Sequence, residues 1–456
     1  MMRLRFYIVM FIAAAAPLMA QGPHEVLLLV NADNPESVEI GQAWATMRSV
    51  PRQNIVRLKL PSKYKSQQHD ISVEDFNDFI WKPAQKAVEE RGLKHVLAWV
   101  YSSGFPVRVT GEPAVSITGL TFLRNRYPSL KEVKNAVYAS PMFAGRLKPA
   151  DKAHNPQSLD LYKGWLGKEM PLPCMMLGYT GKRGNTKEEV LACLRRGVDS
   201  DFGKPDGRVY FIDTKDVRSE VRRWQFPVAM AELKKVKVSS VITNSFPQNQ
   251  KDVLGVMTGA AELRGLSDNS YKPGAMCEHL TSLAAAFDNK GQTKATEWIR
   301  AGATASAGTV DEPYAIWPKF PDARFYFYYA SGCTMMESFY QSVRSPLQLL
   351  IIGEPLARPW AKRADIVLKG AEKGGAPAPS MELSVEVNTD SMDYYRTVTW
   401  LVDGRIVANG RRWTLSAKDY KVGRHELRVV AAKTGLVKSQ VFKEFVFTVK
   451  EDGIVF

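Results

Sequence analysis

The triplet Cys277-Glu278-His279 is the strongest candidate for chemistry in this sequence, and Thr281 and Ser282 follow it closely. A thiol becomes a nucleophile when a nearby base produces the thiolate, and a histidine oriented by a carboxylate is such a base. Positions i and i+2 share a face on a strand but diverge on a helix, so this pair requires an extended segment. Cys277 and His279 are therefore catalytic candidates. The alternative is a buried thiol beside a hydrogen-bonded histidine.

A second candidate is the run Asp311-Glu312-Pro313-Tyr314, which follows a segment of small residues. Paired carboxylates at the carboxyl end of a strand act as acid and base or hold a cation. Glu312 is thus a third catalytic candidate, and Asp311 and Tyr314 are candidate ligand-binding residues. The alternative is a solvated turn before a proline.

Arg108 ends the motif G-F-P-V-R, and its guanidinium is suited to a carboxylate or a phosphate. It completes the set of candidate ligand-binding residues, which are Arg108, Glu278, Ser282, Asp311 and Tyr314. Gly181-Lys182-Arg183-Gly184 lacks the G-x-x-x-x-G-K-[ST] pattern and is not interpreted as a phosphate loop.

No metal site or cofactor is predicted, because the sequence has no C-x-x-C pair and its six histidines are scattered. The four cysteines are too few for a disulfide framework. Two bridges with three connectivities remain open, as do buried free thiols. The cysteines are Cys174, Cys193, Cys277 and Cys333.

Residues 1–20 have the pattern of a secretory signal peptide. Arg3 and Arg5 form a positive start, an apolar stretch follows, and Ala20 precedes a plausible cleavage point. We therefore expect an exported protein, periplasmic or extracellular. No later apolar stretch reaches the ~18 residues of a spanning helix, so no transmembrane segment is expected.

The formal net charge of +15 favours an acidic partner such as anionic lipid or a polyanionic glycan. The alternative is a basic surface that keeps the protein soluble. The densest basic cluster, around Arg218, Arg222 and Arg223, lacks the interleaved aromatic residues of a single-strand binder, so no nucleic acid is expected. The partner is predicted only as an unknown ligand or an envelope component.

Residues 21–369 are predicted to form an α/β domain. Residues 25–30 are a continuous apolar run, and Asn34-Pro35 marks the start of a helix. Further alternation of strands and helices predicts a mostly parallel sheet with helices on both faces. Prolines interrupt this pattern at about 104–170, where we expect an insertion. The small-residue run at 303–310 predicts a strand that packs closely against other backbone.

Residues 370–380 (G-A-E-K-G-G-A-P-A-P-S) are predicted to be a linker. Beyond it, apolar and polar residues alternate, and Asp403-Gly404 is a hairpin signal. Several short strands within 381–456 predict a small all-β, immunoglobulin-like sandwich.

Five segments, at 26–41, 104–108, 273–282, 291–314 and 345–359, closely resemble an uncharacterised family of exported bacterial proteins, some of which carry PEP-type sorting signals. The longest reads G-Q-T-K-A-T-E-W-I-R-A-G-A-T-A-S-A-G-T-V-D-E-P-Y. The resemblance spans about 25–362. It implies kinship and export, and it implies no particular activity.

A more distant resemblance is to gingipain-type cysteine peptidases, which have a caspase-like α/β sheet followed by an immunoglobulin-like domain. Their layout has a His-Gly at one strand end, a Cys at the next, a helix, a small-residue strand and a final G-D-P. Here Gly259-Ala260 stands in place of the His-Gly, residues 280–284 stand in place of the Cys, and Gly353-Glu354-Pro355 stands at the final turn. The resemblance implies the fold without the peptidase residues.

We therefore expect a non-peptidase α/β scaffold that binds a ligand or partner. The alternative is a hydrolase that uses Cys277 and His279 or the carboxylates of Asp311 and Glu312. A third possibility is a purely structural envelope protein. An enzyme should gather Cys277, His279, Glu312 and Arg108 around one cleft. Since only His279 is near Cys277 in sequence, we expect the thiol pKa to stay near its ordinary ~8.5.

Overall fold

The structure, a computed structural model, describes residues 22–64, 69–372, 374–389 and 395–456. The predicted signal peptide, at 1–20, lies outside the described residues. In the described ranges no helix combines the length and the apolar character needed to cross a membrane.

The α-helices of the described chain all precede residue 343. They are α1 (Pro35–Arg48), α2 (Val73–Phe76), α3 (Lys82–Glu90), α4 (Ile117–Phe122), α5 (Leu130–Lys134), α6 (Leu159–Leu166), α7 (Lys187–Ser200), α8 (Val217–Glu220), α9 (Phe226–Lys235), α10 (Ala295–Ala301), α11 (Phe325–Ala330) and α12 (Met335–Ser342). A π-helical turn, Asn77–Trp81, joins α2 to α3.

The strands of the α/β region are β1 (Val26–Asn31), β2 (Ile55–Leu58), β3 (Asp70–Ser72), β4 (Ala98–Tyr101), β5 (Arg108–Thr110), β6 (Val115–Ser116), β7 (Cys174–Met176), β8 (Arg208–Ile212), β9 (Ser239–Thr243), β10 (Val253–Gly259), β11 (Tyr271–Leu280), β12 (Ala305–Thr309) and β13 (Leu349–Gly353). β5 and β6 lie within the predicted insertion, and they form a small separate sheet with β3, which precedes α2 in the chain.

Local signals explain several of these elements. Every residue of β1 is buried, as its apolar sequence predicts. The Asn34 side chain accepts a hydrogen bond from the Ser37 N–H and caps α1, with Pro35 in the first turn. Thr334 and Glu337 form a capping box at the start of α12.

The main sheet has ten strands in the order β2-β1-β4-β7-β13-β12-β11-β10-β8-β9. All neighbours are parallel except β12 and β13, which are antiparallel through pairs such as Ser306 with Ile352. The mostly parallel sheet is confirmed. It consists of two parallel halves that run in opposite directions and meet at β12 and β13.

Helices cover both faces of this sheet. α1, α7 and α10 pack together on one face, and α4, α9, α11 and α12 lie on the other. The small residues of β12 allow close approach, as predicted. A Cβ atom added at Gly308 would lie 2.6 Å from the Cβ of Ala284. All four cysteines are buried and free.

A separate antiparallel β region follows. Its strands are β14 (Asp365–Lys369), β15 (Ser380–Asn388), β16 (Tyr395–Val402), β17 (Arg405–Asn409), β18 (Arg412–Ser416), β19 (Gly423–Lys433), β20 (Gln440–Lys450) and β21 (Gly453–Val455). They form two sheets, β14-β15-β18 and β17-β16-β19-β20-β21, around an apolar cluster that includes Trp400 and Leu427.

The segment predicted as an interdomain linker, 370–380, connects two paired strands of this region, since Ile366 in β14 pairs with Val387 in β15. The β region therefore starts at β14, before the predicted boundary. Polar bonds join it to the α/β region: Gln440 donates to Glu25 over 3.0 Å, Arg358 donates to the Gln440 carbonyl over 2.7 Å, and Lys438 donates to Asp160 over 2.7 Å.

Candidate functional site

Cys277 lies in the middle of β11, and its side chain faces the helix α10. The residue is 0% exposed and packs in an apolar cluster with Trp298 and Ala303. Burial raises the pKa of the thiol well above its ordinary value, so the prediction of an ordinary pKa is wrong. The thiol is thus held in its unreactive protonated form.

His279 shares the face of β11 that carries Cys277, as an extended segment requires. Its Nε2 lies 3.0 Å from the Thr293 carbonyl oxygen, and the Trp298 indole N–H donates to its Nδ1 over 3.0 Å. This arrangement fits a neutral imidazole with the proton on Nε2. Burial also lowers the pKa of His279 to about 4. Both ring nitrogens are engaged by groups other than the thiol.

Glu278 points to the opposite face of β11 and pairs with Arg222, which lies between α8 and α9. Its Oε2 is 2.7 Å from Nη2 of Arg222, and both side chains are 0% exposed. Burial raises the pKa of Glu278, and the nearby guanidinium partly offsets that effect. Arg222 also donates to the carbonyls of Thr258 and Pro321. This pair connects the helical layer to the sheet and has no exposed surface for a ligand.

Ser282, Glu312 and Tyr314 meet where β11 and β12 end. The Ser282 hydroxyl donates to Glu312 Oε1 over 3.0 Å, and the Tyr314 N–H donates to the same oxygen over 2.7 Å. Tyr314 has a positive φ of 57° and is 53% exposed. The Nζ atoms of Lys134 and Lys319 lie 5.6 and 5.9 Å from the centre of its ring.

Lys319 lies beneath this surface. It is 1% exposed, and its Nζ donates to the Lys134 carbonyl over 3.2 Å and to Gln348 Oε1 over 3.1 Å. Burial lowers the pKa of Lys319 to about 8. Asp311 lies nearby and forms a 3.8 Å ion pair with Lys134. We refer to Ser282, Asp311, Glu312, Tyr314 and Lys319 as the Glu312 cluster.

Arg108 lies in β5, beside the end of β12, and its Nη1 donates to the Val310 carbonyl over 3.3 Å. Its guanidinium binds both oxygens of Asp70, at 2.7 and 3.0 Å, and Asp288 at 2.9 Å. Burial alone would raise the pKa of Asp70, but hydrogen bonds from His69 and Arg108 outweigh it and hold that pKa below its usual value. Arg108 is therefore already occupied by carboxylates of its own chain.

The structure brings four predicted candidates together, namely Ser282, Asp311, Glu312 and Tyr314, with Arg108 close by. It keeps Cys277, Glu278 and His279 in the interior of the sheet. The sequence analysis did not select the other polar residues of these sites, which are His69, Asp70, Lys134, Asp288 and Lys319. Among the described residues, no group of three His, Cys, Asp or Glu side chains is arranged to hold a metal ion.

The Glu312 cluster and the adjacent Lys134 combine two carboxylates, a hydroxyl, two lysines and an exposed aromatic ring at the carboxyl ends of two parallel strands. Open α/β sheets bind ligands at such ends. These groups suit a ligand that offers hydroxyl donors to Glu312 and an acidic group to Lys134, whose side chain is the more exposed of the two lysines.

No family model matches this chain, and no curated protein matches it. A solved structure of fibronectin(III)-like modules of Clostridium thermocellum CbhA aligns with 24% of this chain at 20% identity and a TM-score of 0.17. This chain covers only about half of that one, 54%. The Clostridium perfringens spore cortex lytic enzyme SleM aligns with 63% of this chain and 82% of its own, at 11% identity and a TM-score of 0.17.

Proposed function

We propose that this protein is an exported, non-peptidase member of the bacterial family that its motifs resemble, and that it binds its ligand at the Glu312 cluster. One observation carries the proposal. Cys277 and His279 are both buried. The thiol of Cys277 is protonated, and both ring nitrogens of His279 are hydrogen-bonded to groups other than that thiol. The exposed polar candidates are gathered instead at the ends of β11 and β12.

We also propose that the main sheet is caspase-like and that the β region is immunoglobulin-like. The order of elements supports the first point. β10 ends at Gly259, and the neighbouring β11 ends at Leu280. α10 and β12 follow, and β13 comes after two further helices, α11 and α12. This matches the layout of gingipain-type peptidases, with Gly259 in place of the histidine. The two antiparallel sheets around a common apolar cluster support the second point.

The absence of peptidase activity is tested on the purified protein beginning at residue 21. Casein, an arginyl peptide and a peptide-based electrophilic probe are each incubated with it. We expect neither cleavage nor labelling, because Cys277 and the other three cysteines are all buried. Labelling of Cys277 in the folded protein would contradict the proposal.

Ligand binding is tested with glucuronate, which has several hydroxyl groups and one carboxylate. The thermal midpoint should rise with glucuronate and should respond much less in Glu312→Gln and Tyr314→Ala. Trp165→Ala is the matched control, since Trp165 is 63% exposed and lies in α6, outside the cluster. Equal responses in all four proteins would count against the Glu312 cluster as the site.

A hydrolase is the second candidate, and the contact between Ser282 and Glu312 favours it. A carboxylate 3.0 Å from a hydroxyl is within reach to accept its proton. Hydrolysis of p-nitrophenyl acetate that is lost in Ser282→Ala, and unchanged in Cys277→Ala, would support this candidate.

A further inference from the structure

A polar cavity of about 560 Å³, separate from the Glu312 cluster, lies between the loops that follow β10 and β11 and the start of α10. Four cationic residues line it, together with Asp268 and Glu297. The cations are Arg183, Lys290, Lys294 and Arg300. We call this cavity the Lys294 pocket. It contains no residue of the Glu312 cluster.

The acidic groups do not balance this positive charge. Arg300 pairs with Glu297 and, over 3.0 Å, with Glu189 outside the cavity, so this cation is already neutralised. Arg183 donates to the carbonyl of Phe287, a neutral acceptor. Lys290 is exposed at the cavity rim.

Lys294 is the most informative residue of the pocket. It is only 4% exposed, and its Nζ donates to the carbonyls of Leu283 and Gly291, each over 2.7 Å. Within the described part of the chain, no carboxylate forms an ion pair with it. An ammonium has three N–H donors, so one remains after these two bonds. A buried cation held by neutral acceptors is stabilised by an anion that reaches it.

The backbone of the pocket is held in an uncommon conformation. Arg183 and Gln292 both have left-handed φ values, of 59° and 64°. Such residues carry strain and concentrate at ligand-binding sites. The Gln292 side chain fixes its loop by accepting bonds from the Thr281 hydroxyl over 2.7 Å and the Leu283 N–H over 2.8 Å. The donors of the pocket are thus positioned before any ligand arrives.

We propose that the Lys294 pocket binds the phosphate or sulfate group of an acidic ligand, with Arg183, Lys290 and Lys294 as its donors. This assignment goes beyond the proposed function, because it adds a second site with its own chemistry. A basic protein that meets polyanionic material would use such a pocket to hold one oxyanion group at a defined position.

Protonation of Lys294 provides a specific signature. Burial and the positive charge of Arg183 lower its pKa to about 8, and Asp288 opposes that shift. An anion favours the charged form, so binding should be coupled to proton uptake near pH 8. The other ionisable groups around the pocket are Asp268, His279, Lys290, Glu297 and Arg300.

The test is a calorimetric titration of the mature protein with sulfate at constant ionic strength, since sulfate does not itself titrate between pH 6 and 9. We expect one site per chain. Its affinity should fall about tenfold from pH 7 to pH 9, because only about a tenth of Lys294 stays charged at pH 9. Inorganic phosphate at pH 8 should compete with sulfate for the same site.

Lys294→Met should remove this pH dependence together with most of the affinity. Lys290→Ala, which changes an exposed side chain, should weaken sulfate binding several-fold in a fully folded protein. Lys163→Met is the control, because the pKa of Lys163 is also lowered by burial but the residue lies in α6. No saturable binding, or binding that all three variants retain, would overturn the proposal.

Discussion

The indole N–H of Trp298 donates to Nδ1 of His279 over 3.0 Å, and this bond links α10 to the central strand β11. It fixes the tautomer of a histidine that would otherwise be the natural base for Cys277. The neighbouring thiol is left without an activating partner.

Alkylation by iodoacetamide tests this directly. In the folded protein between pH 5 and 9, Cys277 should react far more slowly than in urea, because its thiol is buried and its pKa is raised. A rate plateau that begins below about pH 6.5 and disappears in His279→Ala would reveal a thiolate and contradict the non-peptidase interpretation. Peptide mapping identifies which of the four cysteines has reacted.

The pH dependence of stability should also report on His279. Burial lowers the pKa of His279 in the folded state to about 4, below the ordinary histidine value of 6.5. The neutral His279 side chain therefore contributes to stability above pH 6.5, and this contribution is lost as the pH falls towards 4. Over that window the free energy of unfolding should fall by about 3 kcal/mol more in the wild type than in His279→Gln. Urea titrations at several pH values measure the difference. Parallel pH curves for the two proteins would show that His279 is not held neutral.

Removing one partner of the Arg222–Glu278 pair should be severely destabilising. Arg222→Met leaves a buried carboxyl group without its counter-ion and should lower the free energy of unfolding by about 3–5 kcal/mol. The double variant Arg222→Met/Glu278→Leu should recover most of that loss. Equilibrium unfolding in urea provides the three values. A double variant no more stable than Arg222→Met would imply that the two residues act separately.

The small residues of β12 predict sensitivity to added volume. Ala305 is 0% exposed, and a Cβ atom on Gly353 would already lie 2.6 Å from its Cα. Ala305→Leu should therefore cost about 1–3 kcal/mol and lower the thermal midpoint. Ala376→Leu, at an exposed position, should be nearly neutral. A neutral Ala305→Leu would mean that this strand has space beside it.

Local signals in the sequence predicted much of the fold. The cap at Asn34, the apolar run of β1 and the capping box at Thr334 lie within a few residues of the elements they define. The antiparallel pairing of β12 with β13 was not predicted, because it depends on residues far apart in the chain. β14 was included in the α/β domain because the Gly- and Pro-rich segment after it resembles a linker.

Part of the candidate site was also predicted from local signals in the sequence. Asp311, Glu312 and Tyr314 are close in sequence, and their motif stood out. Lys319 and Lys294 become notable only through burial, and no local pattern marks a lysine that tertiary packing will enclose. Arg222 belonged to a basic cluster that suggested surface charge, but its partner Glu278 comes from a distant strand.

The position of β14 has a consequence for limited proteolysis. The segment 371–379 joins two hydrogen-bonded strands, and the contacts of Gln440 and Lys438 with the α/β region lie elsewhere. A protease that cuts this segment would leave a nicked molecule whose two fragments stay associated. The cut would appear on a denaturing gel and leave the elution volume of the native protein unchanged.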